Sequence, residues 1–337
     1  MQKLLPKLIV VAGILLAVIA YVASNIFHSV HEPMQFDEPV TINLKPGSSI
    51  RTLSNQLGGL GLLEHPDYFL IWGRLSGKAT RLQAGEYVFS PGQSLAGLID
   101  DMVSGRVKQY SLTLVEGWTF REFLQALAAN DAVEHTLEGV PYDDVMQTLG
   151  YTDQHPEGRF FPDTYFIYKN TKDTDVLKRA YQQMEDHLNS LWSRRDDDLP
   201  FKTPYEALIM ASIVEKESAV PDERPVIAGV FINRLRKGMR LQTDPTVIYG
   251  IGEAYDGDIR FKDLRTDTPY NTYTRKGLPP TPIAMPGIGA LEAVMHPADT
   301  GYFYFVATGD GSGEHVFSST LEEHEKAVDK YQRKRNR

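Results

Sequence analysis

The stretch TPYEALIMASIVEKES (Thr203–Ser218) decides the predicted fold, because it indicates a helix that protein covers on most sides. Thr203 suits the N-cap and Pro204 suits the first helical position, and Glu206 at the third position completes a capping box. Residues 207–214 are apolar apart from one serine. A helix that is apolar nearly all round is typical of a protein interior. We therefore expect most faces of this helix to be buried.

The same helix ends in acidic residues, and burying a carboxylate is costly without a reason. Catalysis by an acid of raised pKa is one such reason. On a helical wheel Glu217 lies roughly 20° from Met210, whereas Glu215 lies on nearly the opposite side with Leu208. The negative end of the helix dipole also helps to keep Glu217 protonated. The alternative is a frayed, solvated helix end with ordinary surface charges.

Size and composition are those of an ordinary globular protein. The 337 residues are enough for two domains, with 42% hydrophobic and 23% charged residues. The net charge of −9 argues against a general nucleic-acid binder, so we expect no nucleic-acid partner. The chain has no cysteine, which excludes disulfides, thiolate catalysis and a lipid-modified N-terminal cysteine.

The N-terminal segment Leu8–Phe27 is nearly continuous Leu, Ile, Val and Ala, and is long enough to cross a bilayer as a helix. Lysines precede it and acidic residues follow it, so the positive-inside rule leaves the N-terminus in the cytoplasm and the rest outside. A cleaved signal peptide is the competing interpretation. We expect a cytoplasmic tail at 1–7, a single-pass transmembrane anchor at 8–28 and a linker at 29–39.

Beyond the linker, a short strand, a Gly turn, a Ser or Thr cap and an amphipathic helix recur three times. The predicted caps are Ser49, Ser94 and Thr119. This construction predicts an α+β fold. Such units are compatible with binding an extended polymer and equally compatible with packing alone.

After the opening helix, Asp222 is the predicted cap of a second helix, and 241–250 is predicted as a strand that leads through Asp244, as N-cap, into a short helix. GDGSG (Gly309–Gly313) is predicted as a hairpin loop. Thr320 and Glu323 form a capping box for a final helix.

The sequence lacks the motifs of several common kinds of binding and catalytic site. There is no Walker phosphate loop, no Rossmann fingerprint, no zinc spacing and no GxSxG elbow. We therefore expect no metal and no cofactor. What remains is acid–base chemistry by a buried carboxylic acid, with polar loops such as LQTD and YNTY to hold a substrate.

Several fragments taken together resemble the MltG/YceG-like endolytic murein transglycosylases, over nearly the whole chain. They are EGRFFPDTY (Glu157–Tyr165), ASIVEKES (Ala211–Ser218), VFINRL (Val230–Leu235), MRLQTDPTVIYG (Met239–Gly250), YNTY (Tyr270–Tyr273), GLPPTPIAMPG (Gly277–Gly287) and HPA (His296–Ala298).

The resemblance implies a bacterial inner-membrane enzyme whose catalytic part faces the periplasm. Its fold is expected to join a LysM-like domain at 40–108 to an α+β catalytic transglycosylase domain at 109–337. The family's catalytic glutamate, the second acid of VEKE, falls on Glu217. The implied reaction is cleavage of the bond between N-acetylmuramic acid (MurNAc) and N-acetylglucosamine (GlcNAc) within glycan strands. It leaves a 1,6-anhydroMurNAc end and thereby limits the elongation of nascent strands.

Candidate substrate contacts are Gln242, Thr243, Asp244, Asn271 and Tyr273, although Asp244 serves equally well as a helix cap. The implied partners are peptidoglycan glycan strands, the membrane and cell-wall synthesis proteins. Two alternatives remain open. One is a lysozyme-like hydrolase, with Asp244 or Glu223 as the second carboxylate. The other is a membrane-anchored peptidoglycan-binding scaffold without catalysis.

Overall fold

The computed structural model describes residues 5–218 and 220–332, so residues 1–4 of the predicted cytoplasmic tail lie outside the described residues. The chain divides into two units, Met1–Tyr110 and Ser111–Arg337. This division falls two residues after the domain boundary expected from the sequence. The molecule is mixed α+β, as expected.

The first unit begins with one long helix, α1, that is apolar and long enough over Lys7–His31 to cross a membrane. Two antiparallel strands, β1 and β2, then enclose two helices in sequence, and Val40 lies opposite Phe89. The elements are α1 (Leu5–His31), β1 (Val40–Leu44), α2 (Ile50–Gly59), α3 (Pro66–Leu75), β2 (Gly85–Phe89) and α4 (Leu95–Ser104).

The predicted helix caps of the three strand–turn–helix segments are confirmed. The Ser49 hydroxyl accepts a hydrogen bond from the Thr52 N–H at the start of α2, and Ser94 does the same for Gly97 in α4. Thr119 forms a capping box at the third helix. Local chemistry therefore fixes where these helices begin.

The predicted linker at 29–39 is part of the first unit. Helix α1 continues to His31, and Val30 is fully buried in the core of this unit. The Met34 backbone accepts from the Gly92 N–H at 2.7 Å and donates to the Gln93 carbonyl at 3.1 Å. Val30, Met34 and Phe36, all within this segment, pack in or against the core of the unit.

The second unit contains nine helices and six strands among its described residues. Its first strand, β3, begins at Tyr110, one residue before the boundary between the units. Strand β3 pairs with β5, β4 with β6 in parallel, and β7 with β8 antiparallel. The elements are β3 (Tyr110–Thr113), α5 (Phe120–Ala128), β4 (Val133–Glu134), α6 (Val145–Leu149), β5 (Thr164–Ile167), β6 (Thr171–Lys172), α7 (Asp173–Ser193), α8 (Pro204–Glu217), α9 (Arg224–Arg236), α10 (Asp244–Ile251), α11 (Phe261–Arg265), α12 (Ile288–Met295), β7 (Tyr304–Ala307), β8 (His315–Ser318) and α13 (Leu321–Tyr331). Short 3-10 turns occupy Tyr142–Asp144, Pro221–Glu223 and Gly252–Ala254.

Helix α8 is the buried helix predicted from the opening stretch. Every residue from Ala207 to Val214 is buried, and the helix contacts α7, α9, α10 and α12. Thr203 is its N-cap and accepts from the Glu206 N–H. The predicted capping box is wrong in one respect: the Glu206 carboxylate accepts from the Lys202 N–H, at 2.5 Å, and not from that of Thr203.

Two other predicted caps are wrong. Asp222 lies in the 3-10 turn, and α9 begins two residues later without a side-chain cap. Asp244 is the first residue of α10 and not its N-cap, which is Thr243. The predicted strand at 241–243 is also absent, because these residues lie in an irregular segment between α9 and α10.

The hairpin and the last helix follow the prediction. The Gly309–Gly313 segment lies in the connection between β7 and β8. Thr320 and Glu323 form the capping box of α13. The hairpin and α13 pack against each other and form one wall of the cleft described next.

Candidate active site

Glu217 is the last residue of α8 and lies at the edge of an open cleft of about 530 Å³. Polar side chains at the cleft come from helices, from the segment after α9, from the loop before α12, from the hairpin and from the residue that follows α13: Glu217, Arg234, Gln242, Asp244, Tyr273, Tyr304, His315, His324 and Gln332. Helix α13 supplies apolar and aromatic contacts from the other side. Burial of the rest of α8 fixes the position of this carboxyl, which is itself half-buried.

Loss of solvation raises the pKa of Glu217 to about 6. The Thr243 hydroxyl donates a hydrogen bond to Glu217 Oε1, which favours the carboxylate and opposes this rise. The charge of Asp244 adds to the rise, while the interactions with His315 and Arg234 oppose it. A carboxyl with this pKa can donate a proton near neutral pH and take it back.

Glu215 is held differently. Its side chain is 5% exposed, forms an ion pair with Arg224 at 3.0 Å and accepts from the Gly287 N–H at 3.0 Å. Burial raises its pKa as well, against the effect of these two contacts. Glu215 thus ties the end of α8 to the start of α9 and to the loop before α12, and does not line the cleft.

The LQTD and YNTY segments come together beside Glu217. The Thr243 N–H donates to Thr272 Oγ1 at 3.1 Å, and the Gln242 N–H donates to the Thr272 carbonyl at 3.2 Å. Gln242 has a φ of 52°, in the left-handed region that non-glycine residues seldom adopt. A constrained backbone at a cleft is a common feature of functional sites.

The carboxylate of Asp244 accepts a hydrogen bond from the Tyr273 hydroxyl at 2.6 Å. Both side chains line the cleft. This hydrogen bond joins the first residue of α10 to the loop before α12, and it takes the place of the cap that the sequence predicted for Asp244.

Asn271 makes its side-chain hydrogen bonds to the end of α11 and to the loop that follows it. It is 1% exposed, and its amide donates to the carbonyls of Asp263, Leu264 and Thr266. Its side-chain oxygen Oδ1 accepts from the Tyr273 N–H at 2.9 Å. The structure therefore places Gln242, Asp244 and Tyr273 at the cleft, Thr243 on the Glu217 carboxyl, and Asn271 beneath them as a loop anchor.

Arg234 and His315 also line the cleft, and the sequence did not single them out as site residues. A charged residue on an otherwise buried stretch of α9 is the one signal that could have identified Arg234. His315 is distant in sequence and is held by Glu223, whose carboxylate accepts from the His315 N–H and contacts its Nδ1, each at 2.8 Å. Nothing local in the sequence indicates this contact.

A third acidic side chain of raised pKa lies elsewhere in this unit. Glu157 is 1% exposed and accepts from the Phe120 N–H at 2.9 Å and from the Tyr249 hydroxyl at 3.0 Å. Burial raises its pKa to about 7, although both hydrogen bonds oppose this. Within residues 5–218 and 220–332, no group of three or more His, Asp or Glu side chains is arranged to hold a metal ion.

A model of the YceG-like family matches residues 42–330. A protein named endolytic murein transglycosylase from Bacillus subtilis (strain 168) is 33% identical over 323 residues, which cover 90% of this chain and 88% of that protein. A protein of the same name from Streptococcus pneumoniae (serotype 2, strain D39) is 28% identical, and the match covers 86% of this chain and 58% of that protein.

Among solved structures, a YceG-like protein from Listeria monocytogenes is similar in both sequence and fold. It is 29% identical, with a TM-score of 0.52, and the match covers 86% of this chain and 99% of that chain. The family model spans both units, and the Bacillus relative extends over most of the two proteins. The chain therefore belongs to the YceG-like family.

Proposed function

We propose that this protein is an endolytic murein transglycosylase, a lyase that cleaves the MurNAc–GlcNAc bond within peptidoglycan strands and leaves a 1,6-anhydroMurNAc end. The observation that carries the proposal is Glu217, a positioned acid whose pKa is raised to about 6 at the edge of an open cleft. The relatives named endolytic murein transglycosylase support the same reaction.

In the proposed mechanism, protonated Glu217 donates its proton to the glycosidic oxygen as the bond from that oxygen to the muramyl C1 breaks. The C6 hydroxyl oxygen of the same muramyl residue attacks C1, and its proton passes to the Glu217 carboxylate. The acid is then restored and no water is consumed. One carboxyl suffices, because an intramolecular nucleophile replaces the second acid of a hydrolytic pair.

Gln242, Asp244 and Tyr273 are the proposed substrate contacts, because their side chains line the cleft beside the acid. Thr243 acts on the substrate through Glu217, to which it donates a hydrogen bond. Asn271 acts through the loop that carries Tyr273, since its amide is committed to backbone groups.

The proposed location is the bacterial inner membrane, with the N-terminus cytoplasmic and the catalytic unit periplasmic. Helix α1 supports a single-pass anchor by length and composition, and the order of charges around it supports the orientation. The first unit is the proposed LysM-like glycan-binding domain, supported by its small α+β construction. The proposed role is to limit nascent strands alongside cell-wall synthesis proteins.

The mass of the products tests the activity. Intact glycan strands are digested with the full-length protein, with Glu217→Gln, and with Glu138→Gln as a control at an exposed glutamate of the same unit. We expect anhydromuramyl ends from the wild type and the control, and a loss of at least about 100-fold in Glu217→Gln, as for removal of a general acid.

If the products carry reducing ends instead of anhydro ends, the protein is a lysozyme-like hydrolase and the proposal is wrong. If the protein binds glycan strands but does not shorten them, it is a non-catalytic scaffold. Near-normal release of anhydro ends by Glu217→Gln would show that another group is the acid.

A further inference from the structure

Arg234 is a buried cation with an unusual set of partners. Its side chain emerges from the buried part of α9, and the residue is 7% exposed. Among the described residues no carboxylate lies within ion-pair distance of it. Instead Nε donates to the Phe303 carbonyl at 2.6 Å and Nη1 donates to the Leu241 carbonyl at 2.5 Å. Arg234 and Glu217 interact electrostatically, but beyond ion-pair distance. Buried charges are ordinarily paired in direct contact, so a buried cation at a cleft that touches no carboxylate suggests that its direct partner is a ligand.

The second terminal nitrogen of this guanidinium is available. Arg234 Nη2 makes no hydrogen bond to the described part of the chain, and it is not among the enclosed polar atoms that lack a partner. It therefore opens to the cleft that Arg234 lines. The guanidinium also lies 5.3 Å from the centre of the Tyr304 ring. Two carbonyls and one aromatic ring thus hold the plane of the guanidinium in place before any ligand binds.

His315 supplies a second fixed nitrogen in the same cleft. Its Nδ1 lies 2.8 Å from Glu223 Oε2, and the two side chains are only 10% and 15% exposed. Because Nδ1 is occupied by a carboxylate, Nε2 is the ring nitrogen left for a ligand. Arg234, His315 and Glu217 line the same cleft, and both Arg234 and His315 interact electrostatically with the carboxyl proposed to act in the reaction.

We propose that Arg234, with His315, forms a subsite for a carboxylate on the muramyl substituent of the glycan strand. This inference rests on the proposed function. The sugar hydroxyls of a glycan are neutral and do not need a buried cation, whereas a guanidinium fork matches a carboxylate. The carboxylate can come from two sources. One is the lactyl group of a muramyl residue that bears no peptide, and the other is the stem peptide attached to that same lactyl group.

The subsite would set the register of the strand. MurNAc and GlcNAc alternate along the polymer, and only the muramyl residue carries the lactyl group. A fixed cation that binds this substituent would place the C1 of a muramyl residue, and not that of GlcNAc, beside Glu217. Arg234 and His315 would then select which of the two alternating bonds is cut, as substrate-positioning residues.

Binding to the full-length Glu217→Gln protein in detergent tests this without turnover. The probes are a peptide-free murein tetrasaccharide with free lactyl carboxylates, the same tetrasaccharide with these groups converted to methylamides, and a tetrasaccharide bearing stem peptides, all measured by calorimetry. We expect a carboxylate-bearing probe to bind about 10- to 100-fold more tightly than the methylamide. Adding Arg234→Gln should abolish this preference, and His315→Gln should reduce it several-fold, with little change in methylamide binding.

The two carboxylate probes distinguish the sources, since preference for the peptide-free or the peptide-bearing ligand assigns the lactyl group or the stem peptide. The inference is overturned if neither probe binds more tightly than the methylamide, or if the preference survives in both variants. Should Arg234→Gln fail to fold, Arg234→Lys takes its place, and a preference unchanged in it and in His315→Gln overturns the inference. Failure of the proposed function is separate: the wild type would then release no anhydro ends from intact strands.

Discussion

At the scale of single residues, the protonation of Glu217 sets the expected pH dependence. Its pKa is raised from 4.5 to about 6, so the acid is protonated below that pH and ionised above it. If protonated Glu217 is the donor, kcat/KM should be level below pH 6 and fall about tenfold per pH unit above it. Initial rates of anhydro-end release between pH 4 and pH 8 give the profile.

Thr243 provides a way to move that profile. Its hydroxyl donates to the Glu217 carboxylate and lowers the pKa, so Thr243→Val should raise the pKa and shift the fall in kcat/KM to higher pH. Thr148→Val, at an exposed position of α6, is the control and should leave the profile in place. A shift to lower pH in Thr243→Val would contradict the assignment of Glu217 as the titrating acid.

The helical wheel places the two acids of VEKE on different sides of α8, because the angle between side chains depends only on helix geometry, and in the structure their surroundings differ. Glu217 lines the cleft and Glu215 is tied to Arg224 and Gly287. The partners themselves could not be predicted, since they come from other elements of the fold. For the same reason the sequence could not predict that the amide of Asn271, a candidate contact, binds backbone carbonyls. Nor could it predict that Arg234 lines the cleft, which depends on how α9 packs.

At the scale of elements, two helical glycines should respond to the same substitution in opposite ways. A Cβ at Gly229 of α9 would lie 2.5 Å from the Ala298 carbonyl oxygen, which is backbone and cannot move alone. Gly58 of α2 has no atom within 4 Å of such a Cβ. Gly229→Ala should therefore destabilise the second unit by about 1–3 kcal/mol. Gly58→Ala should stabilise the first unit by about 0.5–1 kcal/mol. Denaturant unfolding monitored by hydrogen exchange reports each unit, and loss of stability in both variants would contradict the prediction.

Glu157 couples two helices through one buried carboxyl. It accepts from the N–H of Phe120, the first residue of α5, and from Tyr249 of α10. Its pKa is raised to about 7, so below pH 4.5 it is protonated in both the folded and the unfolded state and has no effect on pH dependence. As pH rises towards 7 the unfolded state ionises first, and the folded state loses up to about 3 kcal/mol relative to it.

Glu157→Gln keeps an acceptor for the Phe120 N–H and cannot ionise. At Tyr249 it replaces a carboxylate oxygen that accepts from the hydroxyl with an amide N–H that can donate to the hydroxyl oxygen. The variant should therefore gain stability over the wild type between pH 4.5 and pH 8, as measured by urea unfolding at both pH values. A difference between the two proteins that is the same at both pH values would show that Glu157 ionises as easily in the folded protein as in the unfolded chain.

Helix caps show how far local sequence carries a prediction of the fold. Ser49, Ser94, Thr119 and Thr320 cap their helices as predicted, because the interacting atoms lie within one turn. Asp244 does not cap its helix, because its carboxylate is bound by a tyrosine 29 residues later. A local rule fails where a distant partner competes for the same side chain.

At the scale of the whole molecule, the candidate membrane helix α1 is continuous with the rest of the first unit. The sequence indicated the apolar span, because its length and composition are local properties. It did not indicate that Val30 would be buried, because the polar and proline residues around it are also typical of a linker. Ile26, Met34 and Phe36 pack against the same core. The end of α1 is thus a structural part of this unit as well as a candidate anchor.

This continuity predicts how truncation changes the stability of the first unit. A chain that begins at Val40 lacks Val30, which is fully buried, and the three partly buried side chains around it. At about 1.5–3 kcal/mol for a fully buried apolar side chain and less for the others, the unit should lose roughly 3–6 kcal/mol. A chain that begins at Ser24 keeps these contacts and is the matched control. Hydrogen exchange of α4, whose Leu98 and Ile99 lie in this core, measures the loss, and equal protection in the two chains would mean that the segment acts only as a tether.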